Sequence, residues 1–266
     1  MTDSELEEEQ TPDDLFRTAV VVEGGLGAIA LLLGYFLGPS ARALVPSAEQ
    51  VGTIAGGVGL GIIATIPLLV FMSVLRRVKH PAIDKLDELS DHPMIELMLK
   101  LGPIELLIVS LCAGVGEELL FRGWLLPFLG DLFNGHFTSD VASISLLPSD
   151  PTAERPWWAF GGFASATALD SGSWTIPSLV DWWSTEIGWP MTIAWIISSV
   201  VFGFVHPMSK LYIFVTGMMG FYFGALMLLS GNLLIPIIAH ALYDAIQLWS
   251  ASAEAKQANL ASESAI

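Results

Sequence analysis

Cysteine is nearly absent. Cys112 stands alone among 266 residues, which excludes an intramolecular disulfide and any multi-cysteine metal site. Charge is scarce too, at 14% of residues, where a soluble domain carries about a quarter. Basic residues are scarcest, with eleven Lys and Arg against twenty-seven Asp and Glu and a net charge of −16. The one basic cluster is "RRVKH" at 76–80, too little for a nucleic-acid partner. No HExxH zinc motif occurs. A basic leader is also missing: seven acids fall in the first fourteen residues, and the first apolar run begins after Arg17. The beginning therefore reads as an acidic disordered tail, 1–16, followed by a retained span rather than a cleaved signal.

What the chain has in quantity is apolar sequence. It is 53% hydrophobic, with a mean hydropathy of +0.62. Apolar segments run over about 18–38, 51–75, 95–116, 191–206, 209–230 and 232–250, and a shorter amphipathic one over 118–133. A lone segment in lipid must satisfy its own backbone, so each is expected to be a helix. The expected fold is an all-α, polytopic membrane bundle of six to eight spans, with seven preferred. The membrane domain covers 17–250 and a C-terminal tail 251–266. The stretch 134–190 is the one long polar interruption and holds six of the nine tryptophans. It reads as an extramembrane loop with its indoles at the headgroups. Arg76, Arg77, Lys79 and Lys85 favour a cytoplasmic 76–95 loop.

Ionisable residues inside apolar runs are costly in lipid and point to function. In "EELLFR" (117–122), Glu118 and Arg122 are four apart and share a helix face, so they can pair. Glu117 lies about 140° from Arg122 at 3.6 residues per turn, so the helix's own arginine does not claim it. Such a carboxylate can hold and deprotonate a water if a second base shares the load. His206 is the candidate base, at the end of the run "IISSVVFGFV" and before Pro207. His240 and Asp244 share a face of the last segment, where Asp244 can fix the imidazole tautomer and leave the other nitrogen to act. Asn232 is expected to cap that helix. Glu23 and Glu105 lie near the starts of their segments and read as structural, snorkelling or locally paired. The seven-span arrangement is preferred because it brings Glu117 and His206 to the same end of their helices.

"EELLFRG", "FGFVH" and "NLLIPIIAHALYD" together resemble the CPBP family of CAAX proteases and bacteriocin-processing enzymes, the type II CAAX prenyl endopeptidase-like group. That family carries EExxxR, FxxxH and HxxxN/D in this order, matched here by Glu117, Glu118 and Arg122, by Phe202 and His206, and by His240 and Asp244. The resemblance covers roughly 95–250. It implies an intramembrane glutamic-type endopeptidase of a prokaryotic plasma membrane. Glu117 and His206 would activate water, and His240 with residue 244 would stabilise the oxyanion. Glu118, Arg122 and Phe202 would shape the site. The substrate would be a membrane-associated peptide or protein, lipidated or not, and no cofactor is implied. Zinc held by Glu117, Glu118, His206 and His240 is the competing chemistry, and a non-catalytic immunity or scaffold protein the competing function. Two departures stand out: a long 134–190 insertion, and aspartate where the prenyl-protease branch typically has asparagine. An ionised aspartate cannot donate to an oxyanion, so His240 is expected to donate and Asp244 to orient it.

Overall fold

The computed structural model describes residues 11–81, 83, 93–135 and 188–264. The described residues are helical throughout their ordered elements, with no strand among them. The expected 134–190 loop falls almost wholly outside them.

Helix α1 is Pro12–Leu37. Thr11 caps it by accepting from the Asp14 N–H at 3.2 Å, and Asp13 and Asp14 occupy its first turn, where the helix dipole favours acids. The last residues assigned to the acidic tail, 12–16, are thus the opening of a helix. A short 3₁₀ turn, Ala41–Leu44, leads toward α2, Val51–Leu75. Then come α3, Pro93–Leu99, and α4, Pro103–Glu118. Glu105 starts α4 by accepting from the Gly102 N–H at 2.6 Å, which accounts for that acid as a cap.

The chain does not turn back after α4. It passes through a π turn, Leu119–Leu125, directly into α5, Leu126–Phe133. The segment 118–133 therefore continues the helix of the preceding segment, and Glu117 lies near the middle of one long helical path rather than at a helix end. Gly123 stays helical, and Pro127 follows just after the π turn without ending the helix.

After the undescribed stretch come α6, Gly188–Phe204; α7, Lys210–Ser230; and α8, Leu234–Ser264. Gly231 ends α7 in a left-handed conformation, with φ 62°. Asn232 caps α8 by accepting from the Leu234 N–H at 3.0 Å. The region expected as a tail, 251–264, is helical and continues α8. Helices α1, α2, α7 and α8 are each long and apolar enough to cross a membrane, and α6 is a shorter apolar helix.

Small residues set how closely these helices approach. The inward stripe of α1 includes Gly27, Ala30 and Gly34. Gly27 meets Gly116 of α4, and the carbonyl of Glu23 packs directly onto Gly116. A Cβ at Gly61 of α2 would lie 2.6 Å from the Ile238 Cβ of α8. One at Gly114 would lie 2.9 Å from the Ala241 Cβ. Without a hydrophobic drive between helices in lipid, such approaches supply van der Waals contact. The outer surface carries Val21, Leu32 and Phe36 on α1 and Ile62, Ile63, Ile66 and Val70 on α2, all exposed. An exterior of that composition suits hydrocarbon rather than water.

Candidate active site

The polar side chains of the three motifs converge where the middle of the α4–α5 path meets α6, α7 and α8. Glu118 is fully buried. Its Oε1 accepts from Arg122 Nη1 at 2.9 Å and lies 2.9 Å from His240 Nδ1. The pair expected from the four-residue spacing is therefore present, with a second partner from α8 that spacing could not reveal. Arg122 also donates from Nη2 to the Gly220 carbonyl of α7 at 2.9 Å. Its guanidinium lies 4.2 Å from the Phe202 ring centroid, with Phe223 and Phe121 around it. Cation–π contact out of solvent offsets part of the cost of burying that charge.

Glu117, one residue earlier, points elsewhere. It is 6% exposed. Its Oε1 lies 3.6 Å from Nε2 of His206, which is too long for a hydrogen bond and leaves the two groups to be joined through a water. Its Oε2 is buried without a hydrogen-bond partner. His206 follows α6 and is fixed through its other nitrogen: Nδ1 lies 2.7 Å from the Phe202 carbonyl, an obligate acceptor, so Nδ1 donates and Nε2 is turned to Glu117. Phe202 is buried and lies against Arg122 and both histidines. It meets Phe121 edge-on at 5.1 Å, His206 at 4.9 Å and His240 at 6.0 Å between centroids.

His240 is held from both sides. Nδ1 faces Glu118, and Nε2 lies 3.3 Å from Asp244 Oδ2. The imidazole stacks on Phe223 at 4.8 Å. From the i, i+4 spacing alone, Asp244 is expected to leave one ring nitrogen unengaged. Neither is, because Glu118 reaches the second from a neighbouring helix.

The cluster is not sealed. The side chains of His206 and Asp244 keep 24% and 29% exposure, against 8% for Glu117, so the site opens along their side. Tyr212 stands near that opening, 6.3 Å from His206 between ring centroids. Among the described residues, no group of three or more His, Cys, Asp and Glu side chains has metal-ligating geometry. Of the four residues named for zinc, Glu118 has its Oε1 shared by Arg122 and His240 and its Oε2 without a hydrogen-bond partner.

Sequence reasoning missed one residue. Glu23 of α1 is not at the helix end; its backbone carbonyl packs on Gly116, next to Glu117, its Oε2 is buried without a hydrogen-bond partner, and Glu117, His206, His240 and Asp244 lie within electrostatic range of its carboxyl. The available signal was its register. Glu23, Gly27, Ala30 and Gly34 form one stripe, and a stripe of small residues is a packing face.

No curated protein and no solved structure matches the chain. The family model described as type II CAAX prenyl endopeptidase Rce1-like matches residues 100–246, more than half of the chain. That span runs from the start of α4 to just past Asp244 and contains all three motifs of the cluster. With its lipid-facing exterior and its polar centre within the matched residues, this integral membrane protein belongs to the type II CAAX prenyl endopeptidase Rce1-like family.

Proposed function

We propose that the protein is an intramembrane endopeptidase in which Glu117 and His206 activate water. The observation that carries this reading is the state of Glu117: a buried carboxylate, one oxygen unpartnered and the other 3.6 Å from an imidazole nitrogen whose ring is already fixed. A group so placed contributes no hydrogen bond to stability, and its desolvation is a cost. A water between Glu117 and His206 would satisfy both.

The chemistry follows. The water oxygen bonds to the peptide carbonyl carbon while its proton passes to Glu117. The carbonyl oxygen becomes an oxyanion. His240 satisfies Glu118 and Asp244 by donating from both nitrogens, which makes it a cation beside the developing charge. Arg122 lies behind Glu118 and holds that acid aimed at His240. The tetrahedral species then breaks its C–N bond, and the proton taken up by Glu117 goes to the departing amine, with His206 as the relay. Asp244 acts by orienting His240. The substrate class is a membrane-associated peptide or protein segment, with or without a lipid.

The test is reconstitution in bilayers with a panel of labelled peptides, prenylated and unprenylated, comparing the wild type with Glu117→Ala. Cleavage by the wild type alone supports the reading. Equal cleavage by both rejects Glu117 as the base. No cleavage of any peptide by either favours a non-catalytic, scaffolding member of the family. Cleavage abolished by chelators and restored by zinc would replace this mechanism with metal-assisted hydrolysis.

A further inference from the structure

Glu23 lies outside the three motifs and outside residues 100–246, yet α1 delivers it to the same cluster. It sits eleven residues inside the start of α1, roughly 16 Å along the axis at 1.5 Å per residue, too deep for its short side chain to reach the helix end. Its backbone carbonyl packs on Gly116, the residue before Glu117, so any side chain at position 116 would push α1 away. Glu23 Oε2 and Glu117 Oε2 are both out of solvent, and neither has a hydrogen-bond partner. The titratable groups within electrostatic range of Glu23 come from three directions: Glu117 on α4, His206 after α6, and His240 and Asp244 on α8. Two carboxylates in a low-dielectric site repel strongly, and one proton shared between them removes the repulsion.

We infer that Glu23 is a positioning residue of this site: its carboxyl shares one proton with Oε2 of Glu117 and leaves Oε1, the oxygen facing His206, to hold the attacking water. This rests on the protease reading for the water, though not for the shared proton. When the shared proton lies on Glu23, Glu117 is ionised and can accept a proton from water. The proton on Glu23 is not consumed, and the cycle ends with it still shared. The water contributes the new C–O bond and the proton that passes through Glu117 to the amine.

Two measurements on the full chain test this. In infrared difference spectra recorded across pH, the wild type should show a protonated-carboxyl C=O band at neutral pH. The band should be lost in Glu23→Gln and displaced or lost in Glu117→Gln, because the proton belongs to the pair. In kinetics on a peptide that the wild type cleaves, Glu23→Ala should lower kcat about 10- to 100-fold with KM within about twofold. Glu23→Gln, which keeps size and a donor, should recover most of the rate with a pH profile missing one titration. A band unchanged in Glu23→Gln overturns the shared proton. Wild-type kcat and pH profile in Glu23→Ala overturn the positioning role. If the wild type cleaves nothing, the protease reading fails while the infrared result still decides whether the two carboxyls are coupled. If Glu23→Ala does not fold, Glu23→Gln carries both arms.

Discussion

Glu117 and Glu118 are chain neighbours with opposite accounts. Glu118 Oε1 is engaged by both Arg122 and His240, while its Oε2, like that of Glu117, has no hydrogen-bond partner, and Arg122 is itself buried among three aromatic rings. Removing one member of a buried pair leaves an uncompensated charge, a cost of about 3–5 kcal/mol. Glu118→Ala is therefore expected to lower the melting temperature sharply in detergent. Glu117→Gln should leave it within about 1 kcal/mol of the wild type, because its carboxylate makes no hydrogen bond closer than the 3.6 Å contact. The same variant should lower cleavage by about 10²- to 10⁴-fold, the usual worth of a general base. An equal loss of stability in both variants would contradict the division between holding and reacting. A second residue-scale prediction concerns Asp244. Asparagine can still accept from His240 Nε2 through Oδ1, so Asp244→Asn is expected to keep cleavage within about tenfold and to alter its pH profile. Complete loss in a folded variant would mean that the carboxylate itself takes part in the reaction. Most of this was legible in the sequence, because i, i+4 pairs lie on one helix. Glu118 on His240 was not, because spacing within one helix says nothing about which neighbour packs against it. Glu23 was not either, because a lone acid near a segment start looks like one that snorkels.

At the scale of elements, two devices position the cluster. One is the π turn Leu119–Leu125, which begins right after Glu118 and carries Arg122 and Gly123. π turns are rare and concentrate at functional sites, where the extra residue re-aims side chains. Here the turn keeps Arg122 on Glu118 and places Gly123 against Ala41, where a Cβ would lie 2.8 Å from the Ala41 Cβ. That contact explains the glycine following the motif arginine. The other device is the approach of α1 to α4 at Gly116 and Gly27. Gly116→Ala must displace the backbone of Glu23 and is expected to cost about 1–3 kcal/mol, as overpacking does, with reduced activity. Gly59→Ala on α2 is the matched control: nothing lies within 4 Å of a Cβ there, and the gain in helix propensity should make it neutral or stabilising by up to about 1 kcal/mol. Melting curves of the two variants check this, and equal melting temperatures would remove the close approach as a design element. The apolar segments themselves were legible from hydropathy. The continuity of 103–133 was not, because a charged "EELLFR" between two apolar stretches looks the same whether the chain turns back or continues through a π turn.

The whole molecule inverts the arrangement of a soluble enzyme. Among the described residues, Glu117, Glu118, Arg122 and His240 are buried at the centre, while aliphatic side chains cover the outside. In water that surface would drive association. In lipid it is matched to its solvent, and the expensive groups are the central ones, which hydrogen bonds, ion pairs and aromatic faces compensate. The two environments give opposite signs for one substitution. Ile63 lies at the middle of α2 and is 61% exposed. On a water-facing surface Ile63→Lys would be neutral or would improve solubility. At the centre of a membrane helix a lysine costs about 2.5–3.5 kcal/mol on insertion scales. The expected outcome is a marked fall in the fraction of chain retained in the membrane pellet after alkaline washing, with Ile63→Ala retained like the wild type. Unchanged retention of Ile63→Lys would mean that this face of α2 is covered by protein or water rather than lipid. The central cluster would then lie in a wetter setting, and the argument that a desolvated Glu117 is held in reserve for catalysis would lose its physical basis.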